Sequence, residues 1–102
     1  MKTFKYFVGN EWHTPISGKY LDSENPATGD VWARVPDCGP EDIDLAVKSA
    51  RSALSNPIWK SMTATERGKL IFKLADLIEQ NAEKMGSIET QDSGKLLAET
   101  VS

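Results

Sequence analysis

Apolar and polar residues alternate in short bursts over the first third of the chain and then settle into helical spacing. Tyr6, Phe7 and Val8 run into Gly9-Asn10, and Trp12 follows on the far side. This predicts a hairpin that pairs 4–8 with 11–13. A second pair is predicted from Tyr20-Leu21-Asp22-Ser23, the turn Asn25-Pro26-Ala27-Thr28-Gly29, and the run Val31-Trp32-Ala33-Arg34-Val35. Pro26 presets its φ and Gly29 relieves the exit from the turn. Val31, Ala33 and Val35 alternate with Trp32 and Arg34, the period of a strand with one covered face.

The period changes at Asp37-Cys38-Gly39-Pro40, where Pro40 followed by Glu41 and Asp42 makes a helix start with carboxylates near the positive end of the dipole. Ile43, Ala46, Val47, Ala50 and Leu54 then form one apolar stripe, and Asn56-Pro57 is expected to end it. Thr63-Ala64-Thr65-Glu66 has the spacing of a capping box, with Thr63 accepting from the Glu66 amide and the Glu66 side chain returning to Thr63. In the next helix Leu70, Ile71, Leu74, Leu77 and Ile78 predict a broad buried face, extended by Ala82, Met85 and Ile88 across a break at Asn81. Gly94 is the expected stop, and the residues from Lys95 to 102 resemble the first turns of another helix. The fold class is therefore α+β, with short antiparallel β-hairpins over 1–37 and three to four α-helices over 40–102.

Composition narrows the function classes. A chain of 102 residues makes one small domain, expected to bury about two-thirds of the surface its unfolded form exposes. Twelve basic residues against fifteen acidic ones give a net charge of −3. That is no electrostatic footprint for nucleic acid or an anionic membrane. No apolar run reaches membrane-spanning length, and charge interrupts the N-terminus too early for a secretory signal, so a cytoplasmic location is expected. The single cysteine, Cys38, excludes an internal disulfide framework.

The stretch Thr90-Gln91-Asp92-Ser93-Gly94-Lys95 invites a phosphate-loop reading. It fails, because such a loop needs a glycine five positions before Gly94, and that position is Glu89. Cys38 has no neighbouring histidine or lysine in sequence to activate it as a nucleophile. His13, the only histidine, cannot complete a zinc site with one distant cysteine. Glu66, Glu79, Glu83 and Glu89 are spread along helical surface rather than paired for acid–base work. Asp92 stays open between two roles. At the C-terminal end of a helix its charge adds to the negative end of the dipole and favours a cation, while the same residue suits the N-cap of a helix starting near Lys95.

Taken together these segments resemble the amino-terminal part of an NAD(P)-dependent aldehyde dehydrogenase. Phe7-Val8-Gly9-Asn10-Glu11-Trp12 is similar to that family's opening strand and turn. Asn25-Pro26-Ala27-Thr28-Gly29-Asp30-Val31 resembles its Asn-Pro-Ala-Thr-Gly-Glu-Val turn, with Asp in place of Glu. Glu41-Asp42-Ile43-Asp44-Leu45-Ala46-Val47 resembles its first helix. Trp59, Thr65-Glu66-Arg67-Gly68-Lys69-Leu70 and Leu74-Ala75-Asp76-Leu77-Ile78-Glu79 match its second, and Glu89 to Lys95 its Glu-Thr-Leu-Asp-x-Gly-Lys helix end.

The resemblance implies that residues 1–102 are the N-terminal portion of a cofactor-binding domain in an enzyme several times longer. The dinucleotide sheet, nucleophilic cysteine, general-base glutamate and oxyanion-stabilising asparagine would all lie later in that enzyme, so the segment alone should be inactive. Cys38 lies outside the family's catalytic-cysteine motif and inherits no role from it. Also implied are NAD or NADP as cofactor, an aldehyde substrate, the remainder of the same enzyme chain as partner, and assembly into a homo-oligomer. A structural monovalent cation, K+ or Na+, is implied too, held by the backbone carbonyls of Ser23 and Glu24 and the carboxylate of Asp92. The competing expectation is a non-catalytic helical scaffold module that docks the apolar face of the 65–91 helices on a partner.

Overall fold

The computed structural model describes residues 1–101. Its elements run β1 (Lys2–Thr3), β2 (Tyr6–Val8), β3 (Glu11–His13), β4 (Tyr20–Glu24), β5 (Val31–Pro36), α1 (Pro40–Leu54), α2 (Pro57–Ser61), α3 (Ala64–Gln80), α4 (Ala82–Ser93) and α5 (Leu97–Val101). They divide into two compact units, one of residues 1–24 with 31–61, the other of residues 25–30 with the segment from Met62 onward.

In the first unit, β2 and β3 pair antiparallel across Gly9-Asn10, both at φ 62°. Positive φ at both central positions is the turn whose twist matches the strands, and it favours glycine and asparagine. β4 and β5 form the second antiparallel pair, with a register shift at Ser23/Glu24 that leaves Trp32 as the extra residue between the partners Ala33 and Val31. The hairpin reading missed one thing. β1 joins β5 in parallel, so the larger sheet has the order β1-β5-β4. A two-residue strand has no period to read, and its partner lies about thirty positions away in sequence.

α1 and α3 start where predicted, at Pro40 and after Thr63, while the last helix begins at Leu97 rather than near Lys95, and the helix faces are used differently. α1 turns the buried Asp42 and the half-buried Ala46 and Ser49 inward, whereas Ile43, Val47 and Leu54 of its apolar stripe are exposed. Ser49 Oγ lies 3.4 Å from where a Cβ on Gly9 would stand. The hairpin thus approaches the small and polar side of α1. After Asn56, α2 adds one short turn that the sequence reading omitted. There the Asn56 side chain accepts from the Ile58 amide at 2.9 Å, so the Asn-Pro pair that ends one helix caps the next.

In the second unit, the Thr63 hydroxyl accepts from the Glu66 amide at 3.2 Å. The return bond from Glu66 is not formed among the described residues, so only half of the capping box is present. Ordering an exposed glutamate for one solvent-facing bond gains little against its rotamer entropy. Asn81 separates α3 from α4, its side-chain amide donating to the Leu77 carbonyl at 2.8 Å. Gly94, at φ 77°, ends α4 with its amide on the Thr90 carbonyl at 2.9 Å. α5 then folds back so closely over Gly86 that a Cβ there would sit 2.5 Å from a Val101 methyl.

The expected buried face of α3 is corrected by the structure: no residue of that helix is buried. Among the hydrophobic side chains of the described residues Ala33 alone is fully buried. The accessible surface is 8133 Å², about half of what an unfolded chain of this mass exposes rather than the third expected of a compact one.

Candidate functional site

The first candidate centre forms around Asp42, 2% exposed and the one buried charged residue described. Its Oδ1 accepts from the Tyr6 hydroxyl at 2.6 Å and the Ile16 amide at 3.1 Å, and its Oδ2 accepts from the Gly39 amide at 3.0 Å. Pro40 sets the start of α1, placing Asp42 in the first turn where its side chain can return to the capping residue. Tyr6 comes from β2 and Ile16 from the loop after β3, so one carboxylate gathers three segments.

The Tyr6 bond is the main cause that holds the Asp42 carboxyl below its ordinary range; the two amides and the charge of His13 act the same way, while burial opposes them. The same bond pushes Tyr6 up to about 12. His13 stacks on Tyr6 with ring centroids 5.3 Å apart and donates from Nε2 to the Val8 carbonyl at 3.0 Å. A cavity of about 440 Å³ beside this centre is lined by Ile16, Ser17, Gly39, Pro40, Glu41 and Asp42. It offers an anion little. The Gly39 amide, just ahead of α1, already serves Asp42, whose own charge repels an anion.

Cys38 is exposed next to this centre. Partial shielding of the sulfur and the charges of Asp42 and Asp37 push its thiol above the ordinary value, opposite to what a nucleophile needs.

The second centre is the turn 25–30 with the end of α4. Asn25 Oδ1 accepts from the Ala27 amide at 2.9 Å, the Asn25 carbonyl accepts from Gly29 at 2.7 Å, and the Asn25 amide donates to the Asp30 carbonyl at 2.9 Å. Pro26 packs on Gly94, where an added Cβ would lie 3.2 Å from the proline ring. Asp92 lies in the last turn of α4, and α5 begins only at Leu97, with Leu96 accepting its first amides. Asp92 is therefore not the N-cap of the following helix. Lys95 pairs with Glu89 at 3.3 Å on the surface. Ser23 and Glu24 close β4 in the other unit, at the register shift. The role of Asp42 escaped the sequence reading. Its signal was an acid two positions after a proline that opens a helix, but the tyrosine partner could not be read from local spacing.

The dinucleotide does not fit these residues. Among the described residues the one parallel strand pair, β1 with β5, is joined through other strands and not through a crossover helix, and Glu89 to Ser93 are helical rather than a loop. Among the described residues no three His, Cys, Asp or Glu side chains gather, and no helix is long and apolar enough to cross a membrane.

The described residues thus carry small sheets and helices, with a structured Asn-Pro turn against a glycine helix stop, and among them no complete catalytic constellation is assembled. The family model described as the aldehyde dehydrogenase family matches residues 12–102, and the chain belongs to that family. It is 37% identical over its whole length to (Z)-2-((N-methylformamido)methylene)-5-hydroxybutyrolactone dehydrogenase of Acinetobacter baylyi, and covers 20% of that protein. It is 45% identical to human aldehyde dehydrogenase 1A1 over 90% of this chain and 19% of that one. The NAD+ complex structure of aldehyde dehydrogenase from Bacillus cereus superposes on 97% of the chain and 20% of its own, with a TM-score of 0.92 at 44% identity. The chain thus spans about one fifth of the length of these relatives and corresponds to their N-terminal part.

Proposed function

We propose that this chain is the N-terminal part of an enzyme that oxidises an aldehyde to a carboxylic acid with NAD or NADP, and that it contributes structure rather than chemistry. The observation that carries this reading is the family match over nearly the whole chain. A nicotinamide cofactor held by the rest of such an enzyme would supply the acceptor for the hydride of the aldehyde carbon. Nothing in these residues handles that hydride. Their part is to hold a hairpin, a turn and the helices at the edge of the cofactor domain, with Asp42 fastening the hairpin to α1. The complete protein assembles as a homo-oligomer and works in the cytoplasm, a location supported by the cytosolic relatives, although a mitochondrial enzyme is among the similar proteins as well.

The Ser23 and Glu24 carbonyls with the Asp92 carboxylate are proposed to hold K+ or Na+. An all-oxygen donor set with one negative charge suits a hard monovalent ion. In the complete protein, exchanging K+ or Na+ for a bulky organic cation should lower Tm, and Asp92→Ala should remove that dependence. A cation effect that survives Asp92→Ala refutes this ligand set.

The activity is tested by expressing the protein from its complete coding region and following aldehyde-dependent reduction of NAD or NADP. Absence of reduction across short, long and aromatic aldehydes overturns the enzyme reading. The 102-residue chain by itself should show no turnover above a Cys38→Ser control. A non-catalytic scaffold module is the second reading, favoured by the wholly unburied α3. The two readings meet if the partner of α3 belongs to the same enzyme.

A further inference from the structure

α3 is seventeen residues long and buries none of them. Leu70, Leu74, Leu77 and Ile78 lie along one side, each close to half exposed. Met85 and Ile88 of α4 continue that side, and with Leu74, Leu77 and Ile78 they line a groove of about 340 Å³. Phe72 is 77% exposed but lies about 175° around the helix from the centre of the α3 part of this strip. Water therefore faces a continuous aliphatic surface on one side and a lone ring on the other.

The surplus of surface has a size. Two separate compact bodies, each of about half this mass, would together expose about 6,900 Å², whereas the chain exposes 8133 Å². The excess is spread over the whole chain, with Trp12, Ile43, Leu54 and Ile58 exposed as well, and it exceeds the roughly 800 Å² that each partner contributes to a stable interface. Contiguous apolar surface of the kind that α3 and α4 present marks an interaction site on a soluble protein.

Resting on the enzyme reading above, we propose that the strip from Leu70 to Ile88 is the seat of the protein body that makes up the other four-fifths of its relatives, and that it binds that body even when the two are separate molecules. A second copy of this chain is the poorer occupant, since each copy brings the same net charge of −3.

The experiment uses a chimera in which this chain replaces the matching fifth of the Bacillus cereus enzyme, expressed whole and also interrupted after Ser102, with an affinity tag on the 102-residue piece. The untagged piece should co-purify in equal amount. Leu74→Asp with Leu77→Asp should cut its recovery at least about tenfold, while Phe72→Asp should change it less than about twofold. Failure of the interrupted pieces to associate while the whole chimera folds overturns the proposal. So does a chimera that folds in neither form, equal damage from Phe72→Asp, or recovery of the tagged piece as its own dimer with α3 protected from hydrogen exchange. Association without aldehyde oxidation counts against the enzyme reading and leaves the docking surface standing.

Discussion

Asp42 shows how much one side chain can decide. Its lowered carboxyl value in the folded chain contributes stability that is present above the unfolded value near 3.9 and is lost as pH falls through the folded one. Tyr6 works at the other end of the scale. Its value, raised to about 12, contributes stability that is present below about 10 and is lost as pH rises from there through 12. The urea midpoint of the wild-type chain should therefore fall on the acid side of pH 4 and again above pH 10. Tyr6→Phe should flatten both limbs, and an unchanged profile in that variant would show that the bond carries no linkage. At Cys38 the neighbouring charges act on chemistry instead. Alkylation by iodoacetamide at pH 8 should run slower than for a free cysteine peptide, and a faster rate would contradict the raised thiol value.

At the scale of elements, Thr63→Ala removes the acceptor at the start of α3 and should cost about 1 kcal/mol in urea unfolding, with m unchanged. Gly94→Ala places a Cβ on a left-handed residue and against Pro26, and should cost about 1–2 kcal/mol. Gly86→Val should displace α5, read as loss of amide protection at Glu99 and Thr100, because the nearest atoms to a Cβ there include α5 backbone. These devices were legible in the sequence where they are local. The Gly9-Asn10 turn, the Thr63 cap, the Asn81 break and the Gly94 stop each depend on a few adjacent residues. What could not be read was long-range: the parallel pairing of β1 with β5, the Tyr6 hydroxyl on Asp42, and the choice of α1 to face the hairpin with Ser49 and Ala46 rather than with its apolar stripe. Periodicity tells which side of a helix wants cover, and among the described residues the apolar side of α3 stays exposed. The position of α5 excludes a capping role for Asp92 by geometry alone.

For the molecule as a whole, the openness of the hydrophobic surface reaches into its thermodynamics. Heat capacity and denaturant sensitivity both scale with the area newly wetted on unfolding. A chain whose leucines and isoleucines already meet water has less left to wet than a compact domain of the same mass. Alone in solution it should melt over a broad range with a small calorimetric peak, and its stability should change little between cold and warm. Seated on its enzyme, the same sequence would regain a sharp transition, because its cooperativity would then be that of the whole assembly.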